Sequence, residues 1–152
     1  MDDKVKKIAI GADHAGFQMK ERIKGFLEKL NYQIADFGTF SDDSVDYPDI
    51  ANPLSDAVHL KNFEFGILIC GSGNGMAITA NKFANVRAAI CWSEEITKLA
   101  RMHNNANIMA LPARFITIDR AIRFTDLFLS TAFEGGRHQI RVDKILKKEK
   151  HL

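Results

Sequence analysis

The sequence has few of the residues that mark a secreted or membrane-bound chain. Among its 152 residues there are 2 cysteines, 3 prolines and 1 tryptophan. Two cysteines are too few for the disulfide framework of a small secreted domain, so we expect both thiols to be reduced. No apolar run approaches the ~20 residues of a membrane span, and residues 1–4 lack the apolar core of a signal peptide. The sequence therefore favours a cytoplasmic protein without a membrane partner.

The sequence also lacks an excess of charge of either sign. Lysine and arginine number 21, and aspartate and glutamate number 19, which gives a net charge of +2. This near balance argues against nucleic acid as the main partner. Hydrophobic residues make up 46% of the chain, and residues 1–152 are expected to form one domain. Trp92 and the phenylalanines are expected to pack in its core.

Apolar runs alternate along the chain with amphipathic stretches of helical period. The runs predict strands at residues 5–12, 33–37, 65–70, 87–91 and 108–111. The amphipathic stretches predict helices at residues 16–30, 48–60, 76–83, 94–104 and 118–131, with a basic helix after Gly135 and Gly136. Strands that alternate with helices favour a parallel sheet covered on both faces. The predicted fold is a three-layer α/β/α, Rossmann-like, doubly wound five-stranded sheet of order 2-1-3-4-5 with a C-terminal helix.

Polar side chains follow the first and third predicted strands. Asp13 and His14 come directly after strand 1, and Cys70 ends strand 3. In doubly wound sheets, ligands bind beyond the carboxyl ends of the strands, near the switch between these two. We therefore expect these side chains to meet at one crevice. Taken alone, Asp13 or His14 is better interpreted as the cap of the helix that follows.

A glycine-rich turn follows Cys70 and reads Gly71-Ser72-Gly73-Asn74-Gly75. Alternate glycines let the backbone curl tightly and present successive N–H groups to an anion. A thiol beside such a site loses its proton more easily than a free thiol does. Cys70 is therefore a candidate nucleophile or base, and the alternative is a small buried residue followed by a turn without a ligand.

Neither a cofactor nor a metal ion is expected. The turn differs from a dinucleotide fingerprint, because Met76 stands at the position of the third glycine and the turn follows strand 3 rather than strand 1. Three histidines have no metal-ligand spacing with cysteines or acids: His59, His138 and His151.

Two arginines near the end of the chain point to a phosphate. Arg137 and Arg141 are four residues apart and share one face of the last predicted helix. Arg137 falls in the first turn, where the helix dipole disfavours a cation, and a bound phosphate would resolve that conflict. His103 and Asn104 end an earlier predicted helix, where a C-cap is the simpler interpretation of the pair alone.

Five motifs in order make the chain resemble the sugar-phosphate isomerases of the ribose-5-phosphate isomerase type B family. The matching segments are residues 11–17 (GADHAGF), 46–48 (DYP), 70–75 (CGSGNG), 101–104 (RMHN) and 134–142 (EGGRHQIRV). They cover nearly the whole chain, and the set is far more specific than any one of them.

The resemblance implies an aldose-ketose isomerase that interconverts ribose 5-phosphate and ribulose 5-phosphate in the pentose phosphate pathway, through a cis-enediolate and without a cofactor. It implies that Cys70 is the base, that His103 opens the sugar ring, and that Ser72, where other members have threonine, belongs to the catalytic set. One branch of the family uses a glutamate directly after the glycine turn, where this chain has Met76, which leaves Cys70 as the base. The implied substrate contacts are Asp13, His14, Tyr47, Gly71, Ser72, Gly73, Asn74, Gly75, Asn104, Arg114, Arg137 and Arg141, with the three arginines at the phosphate.

The resemblance also implies a homo-oligomer, since members of the family are dimers with a site lined by both chains. Two other functions stay open on the sequence. One is an isomerase of a six-carbon sugar phosphate such as allose 6-phosphate or galactose 6-phosphate. The other is a non-catalytic module that binds a phosphosugar or nucleotide, which would use the same turn and arginines without needing Cys70.

Overall fold

Five parallel strands form one sheet with six helices around it in the computed structural model, which describes residues 6–146. In chain order the elements are β1 (Lys7–Ala12), α1 (Phe17–Lys29), β2 (Gln33–Asp36), α2 (Tyr47–His59), β3 (Phe65–Cys70), α3 (Asn74–Ala80), β4 (Ala88–Ile90), α4 (Glu94–Asn104), β5 (Ile108–Pro112), α5 (Ile118–Ser130) and α6 (Arg137–Asp143).

These elements confirm the predicted fold class and differ from the predicted boundaries by small amounts. The largest difference is at α3, which begins at Asn74 and ends at Ala80 rather than spanning residues 76–83. Val5, the first residue of the first predicted strand, lies outside the described residues. No helix within residues 6–146 is both long and apolar enough to cross a bilayer.

The strand order is β2-β1-β3-β5-β4, so the predicted order 2-1-3-4-5 is wrong at its last two positions. β5 pairs with β3 along its whole length, and β4 lies outside β5. All five residues of β5 are buried, whereas the three residues of β4 are half-buried. A short, partly covered strand suits the edge of a sheet, and a longer apolar strand must be covered on both faces.

Side chains that alternate along the strands build two separate cores. On one face of the sheet, Ile67 and Ile69 of β3 pack with side chains from α1, α4 and α5. On the other face, Leu68 and Cys70 pack with side chains from α2 and α3. Each fully buried aliphatic side chain of this kind contributes ~1.5–3 kcal/mol. The thiol of Cys70 therefore lies on the α2–α3 face, at the end of its strand.

Chain direction separates the predicted site residues into two groups. Because all five strands are parallel, Cys70 lies with the other strand ends at the carboxyl edge of the sheet. A helix between two parallel strands must run back to the opposite edge, and α4 therefore ends there, with His103 and Asn104. The segment before α6 joins it, since Glu134 N donates to Met102 O at 3.1 Å. The two edges are about 17 Å apart along the six residues of β3.

A buried ion pair fixes the loop that leads from β2 to α2. Lys20 of α1 is fully buried, and its Nζ lies 2.6 Å from Asp36 Oδ2, which Lys24 Nζ also approaches at 2.8 Å. Asp36 Oδ1 accepts from Gly38 N at 2.8 Å, and the ring of Phe40 lies 5.0 Å from the Lys20 ammonium. Burial by itself raises the pKa of Asp36, but the hydrogen bonds from Lys20, Lys24 and Gly38 outweigh it and hold that pKa below its usual value.

The substitution Asp36→Asn is expected to lower the free energy of unfolding by about 3 kcal/mol at neutral pH, because it leaves the buried Lys20 ammonium with only the half-exposed carboxylate of Glu21, whose Oε1 lies 3.1 Å away. A carboxyl whose pKa is lowered on folding stabilises the protein above its unfolded pKa of about 3.9, and that contribution is lost as the pH falls through the folded pKa. The deficit of the variant, measured by urea unfolding, should therefore shrink as the pH falls below about 4.

The matched control is Asp42→Asn in the same loop, where the side chain is exposed. Its effect on the free energy of unfolding should stay within about 0.5 kcal/mol. Equal losses in the two variants would contradict the role given to the buried pair.

Candidate active site

A cavity of about 390 Å³ opens at the carboxyl edge of the sheet, between the ends of β1, β3 and β5. Its lining residues are Asp13, Tyr47, Cys70, Gly71, Ser72, Gly75, Arg114 and Phe115. All of these except Phe115 are predicted site residues. Asp13 and Cys70 therefore meet at one crevice as expected, whereas His14 does not line it. A larger cavity of about 650 Å³ lies between the start of β4 and α6, but it contains no cysteine and is lined mainly by asparagines and apolar side chains. We therefore take the Cys70 cavity as the site.

Cys70 stands at the inner wall of this cavity, as the last residue of β3. Its side chain is 5% exposed, and the glycine turn begins directly after it. Gly73 has φ 78°, in the left-handed region that glycine adopts at little cost, and α3 starts at the next residue. The first N–H groups of a helix have no partner within it, so the turn presents backbone donors beside the thiol. Ser72 Oγ accepts from Asn74 N at 3.3 Å, which leaves its hydroxyl proton available to a ligand.

Arg114 brings positive charge to the turn. Arg114 N donates to Gly71 O at 3.0 Å, and Ala113 N donates to Cys70 O at 2.9 Å, so the segment after β5 is tied to the end of β3. The guanidinium lies over Gly71, where an added Cβ would come within 3.2 Å of it. Within residues 6–146 the Arg114 side chain forms no ion pair, and its charge is directed at the cavity mouth.

Asp13 and His14 both have structural partners. Asp13 Oδ1 accepts from Ala15 N at 3.0 Å and from Gly16 N at 3.2 Å, so its carboxylate fixes the turn before α1, and the residue also lines the cavity. The N-cap of α1 is Gly16, without a side-chain hydrogen bond to the helix, so the interpretation of Asp13 or His14 as the helix cap is wrong. His14 Nδ1 accepts from Val45 N at 3.2 Å. A neutral imidazole that accepts at Nδ1 carries its proton on Nε2, so His14 anchors the loop and has one N–H left to donate.

Tyr47 closes the cavity from the start of α2. Its side chain is 41% exposed, and its ring lies directly over Gly75. A Cβ at Gly75 would come within 2.6 Å of Tyr47 Cζ. The absence of a side chain at Gly75 therefore sets the position of the tyrosine ring.

A second group of predicted residues lies at the opposite edge of the sheet. His103, Asn104, His138 and Arg141 line a cavity of about 270 Å³ between the ends of α4 and α6. Arg137 begins α6 next to them, and both arginines are exposed. Within the described residues neither guanidinium forms an ion pair with a carboxylate.

One chain therefore does not bring all predicted site residues together. Cys70 and the glycine turn share a cavity with Arg114, whereas His103, Asn104, Arg137 and Arg141 lie on the other side of the sheet. No residue lines both cavities. The prediction that the cysteine and the arginine pair meet at one site is not met within a single copy.

The expectation that His138 has no metal-ligand spacing with an acid is wrong, because Glu134 lies four residues before it and contacts its ring. His103 Nε2 and His138 Nε2 lie 3.9 Å and 3.3 Å from Glu134 Oε2, and the three residues offer ligand atoms within 4.8 Å of one another. The two rings are stacked, with centroids 4.1 Å apart and planes 10° from parallel. A single ion cannot lie in the planes of two stacked rings at once, so the arrangement does not fit a shared metal. His151 lies outside the described residues, and the absence of a metal stays a prediction.

Several aromatic residues are not in the core, contrary to expectation. Phe115 is 73% exposed, Phe40 72% and Trp92 55%. Phe115 is the cavity residue that sequence reasoning missed, and its place directly after Arg114 was the available signal. The spacing of Glu134 and His138, four residues apart, was the corresponding signal for the histidine cluster.

The second cysteine takes no part in the cavity. Cys91 is fully buried, and burial raises the pKa of its thiol to about 12, against a smaller opposite effect of a hydrogen bond with Thr97. Both cysteines are free thiols.

The chain is similar over most of its length to ribose 5-phosphate isomerases. Residues 8–145 match the family model described as ribose/galactose isomerase. Ribose-5-phosphate isomerase B of Escherichia coli (strain K12) is 41% identical over 141 residues, which cover 93% of this chain and 95% of that protein. The crystal structure of a ribose 5-phosphate isomerase from Thermotoga maritima has 46% identity and a TM-score of 0.90, covering 93% of this chain and 98% of that one. The structure of ribose-5-phosphate isomerase B from Mycoplasma genitalium with bound ribulose-5-phosphate has 42% identity and a TM-score of 0.88, covering 91% and 93%.

The substitution Gly75→Ala tests the contact between the turn and Tyr47. It should destabilise the protein by about 1–3 kcal/mol, because the new methyl group overlaps the tyrosine ring. In a Tyr47→Ala background the same substitution should stabilise, since alanine is favoured over glycine in a helix by about 1 kcal/mol. A double-mutant cycle of urea unfolding measures this change of sign.

The matched control is Gly25→Ala within α1, where an added Cβ meets nothing within 4 Å. It should stabilise the protein whichever residue stands at position 47. Additive effects of the Gly75 and Tyr47 substitutions would contradict the contact.

Proposed function

The chain belongs to the ribose/galactose isomerase family, and from this premise we propose how it interconverts ribose 5-phosphate and ribulose 5-phosphate. The observation that carries the proposal is a thiol at the end of β3 that shares one cavity with a turn of backbone N–H donors and an arginine. Isomerisation of a phosphorylated aldose to a ketose requires a base, hydrogen-bond donors for the developing oxyanion and a cation that binds the phosphate.

We assign the proton transfer at carbon to Cys70. In the open-chain aldose, the Cys70 thiolate takes the proton from C2, and the electron pair moves through a new C1–C2 double bond to the carbonyl oxygen O1. A proton then passes from the O2 hydroxyl to O1, and the Ser72 hydroxyl is placed to carry it. Cys70 returns its proton to C1, and O2 becomes the carbonyl of the ketose. Backbone N–H groups of the turn stabilise the enediolate between these steps.

The residue after the glycine turn supports this assignment. Met76 is fully buried in the core between the sheet, α2 and α3. A carboxylate there would be desolvated among apolar side chains, so the glutamate base of the other family branch has no equivalent in this chain. Cys70 is then the base that the cavity offers.

We further propose that a second copy of the chain completes the site. The cavity at Cys70 has one arginine, and the group that holds His103, Arg137 and Arg141 faces the other way. Two copies related by a two-fold axis can each place the second group against the partner's Cys70 cavity, which forms two equal sites. Three guanidinium groups, Arg114 from one copy and the pair from the other, would then hold the phosphate by charge-assisted hydrogen bonds.

In this arrangement His103 of one copy opens the sugar ring held in the other. Asp13, the His14 Nε2–H, Tyr47 and Asn104 contact the sugar hydroxyls. A cytoplasmic location is also part of the proposal, and the two free thiols support it.

The substitution Cys70→Ala should lower kcat for ribose 5-phosphate by at least about a hundredfold, because it removes the base. The matched control, Cys91→Ala, removes a thiol that lies outside the cavity and should leave kcat unchanged. The measurement is ribulose 5-phosphate formation from ribose 5-phosphate, with allose 6-phosphate as a six-carbon comparison. Retained turnover in the Cys70 variant would reject the assigned base, and wild-type binding without turnover would favour a non-catalytic module.

A shared site also predicts that two inactive variants restore each other. In a mixed dimer of Cys70→Ala and His103→Asn chains, one site has both native residues and the other has neither. After unfolding and refolding together in equal amounts, about half of the dimers are mixed, so activity should reach about a quarter of the wild-type value. If each chain formed its own complete site, the mixture would stay inactive, and that result would reject the shared site.

A further inference from the structure

The cluster at the ends of α4 and α6 contains an acid that the proposed mechanism does not use. Glu134 Oε2 lies 3.3 Å from His138 Nε2 and 3.9 Å from His103 Nε2. The rings of His103 and His138 are stacked 4.1 Å apart, so their Nε2 atoms face the same carboxylate. The side chain of His138 is 7% exposed, whereas His103 is 38% exposed and accessible to a ligand.

The backbone holds Glu134 in this position. Glu134 N donates to Met102 O at 3.1 Å, which places the acid beside the last turn of α4, one residue from His103. Gly135 and Gly136 follow with φ of 70° and 56°, a left-handed pair that turns the chain into α6. His138 N then donates to Gly135 O at 3.1 Å. One continuous segment thus places Glu134 and His138 against His103 at the end of α4.

The Glu134 carboxylate acts on the pKa of His138 in the opposite direction to the positive charges around that ring. Burial lowers the pKa of His138, and His103, Arg137 and Arg141 lower it further, whereas Glu134 acts in the opposite direction. Glu134 is therefore the group among these that favours a proton on the His138 ring.

We propose that Glu134 is a positioning residue for the ring-opening step, where its carboxylate orients the His103 ring through the stacked His138. This inference rests on the proposed function, in which His103 opens the ring of the bound sugar. During that step a proton leaves the C1 hydroxyl, the bond from C1 to the ring oxygen breaks, and the ring oxygen takes a proton. His103 accepts the first proton and supplies the second, so the charge on the pair must change and return within one turnover.

The experiment separates ring opening from proton transfer at carbon. Ribulose 5-phosphate has no furanose ring, because its O5 carries the phosphate, so exchange of its C1 hydrogen for deuterium in D₂O requires Cys70 chemistry but no ring opening. The variant Glu134→Gln is compared with wild type in two assays: isomerisation of ribose 5-phosphate across a range of pH, and deuterium exchange into ribulose 5-phosphate. The matched control is Glu95→Gln, an exposed glutamate in the first turn of α4.

The substitution Glu134→Gln is expected to lower kcat for ribose 5-phosphate about tenfold or more and to leave the deuterium exchange rate unchanged. Loss of the negative charge should also move the limb of the pH profile that belongs to the imidazole pair to lower pH. NMR titration of the His103 and His138 rings should show the same direction of shift. The conservative variant Glu134→Asp keeps the charge and should retain the wild-type pH profile, and the control should match wild type throughout.

Three results would overturn the proposal. If Glu134→Gln and Glu95→Gln behave alike in both assays, Glu134 does not act on ring opening. Equal losses in both assays would place its effect on folding or phosphate binding rather than on ring opening. If wild type neither isomerises ribose 5-phosphate nor exchanges deuterium, the proposed function fails and this inference fails with it, whereas failure of the inference alone leaves wild-type turnover intact.

Discussion

The organisation of the molecule depends on the common direction of its five strands. Parallel strands end at the same edge of the sheet, and every helix between them must return to the opposite edge before the next strand can start. The thiol at the end of β3 and the imidazole at the end of α4 are therefore separated by the length of a strand. No movement of side chains can bring them together, so the fold itself calls for a second copy if both act on one molecule.

This separation divides the chemistry between two parts of the chain. The carboxyl edge supplies a thiol, a turn of backbone donors and Arg114. These groups suit the stabilisation of negative charge on the oxygens of a substrate. The opposite edge supplies imidazoles and the Arg137–Arg141 pair, which suits proton transfer and phosphate binding. In the proposed dimer the phosphate contacts come from both edges, so binding energy from the phosphate would hold the sugar between the two copies and also stabilise their association.

Much of the fold and of the candidate site was predictable from the sequence, and each wrong prediction has an identifiable physical cause. The Cys70 turn was found because a buried strand, a thiol and alternate glycines are all local in sequence. The order of β4 and β5 was not, because the pairing of parallel strands is decided by burial on both faces, and the three-residue β4 is too short to signal its edge position. The His103–Glu134–His138 cluster was missed because His103 belongs to α4, far in sequence from Glu134 and His138, and the two parts of the chain meet through the backbone hydrogen bond from Glu134 N to Met102 O. The ring of Phe40 is exposed and lies 5.0 Å from the Lys20 ammonium, a contact between residues distant in sequence that hydrophobicity alone does not predict.

The two cysteines differ in a way that has practical value. Burial raises the pKa of Cys91 to about 12, so its thiol keeps its proton at neutral pH, and Cys91 does not line the Cys70 cavity. Cys70 lines an open cavity next to a guanidinium. An electrophile attached to a small anionic carrier should therefore modify one sulfur atom per chain, and the mass of the adduct would count occupied cavities directly.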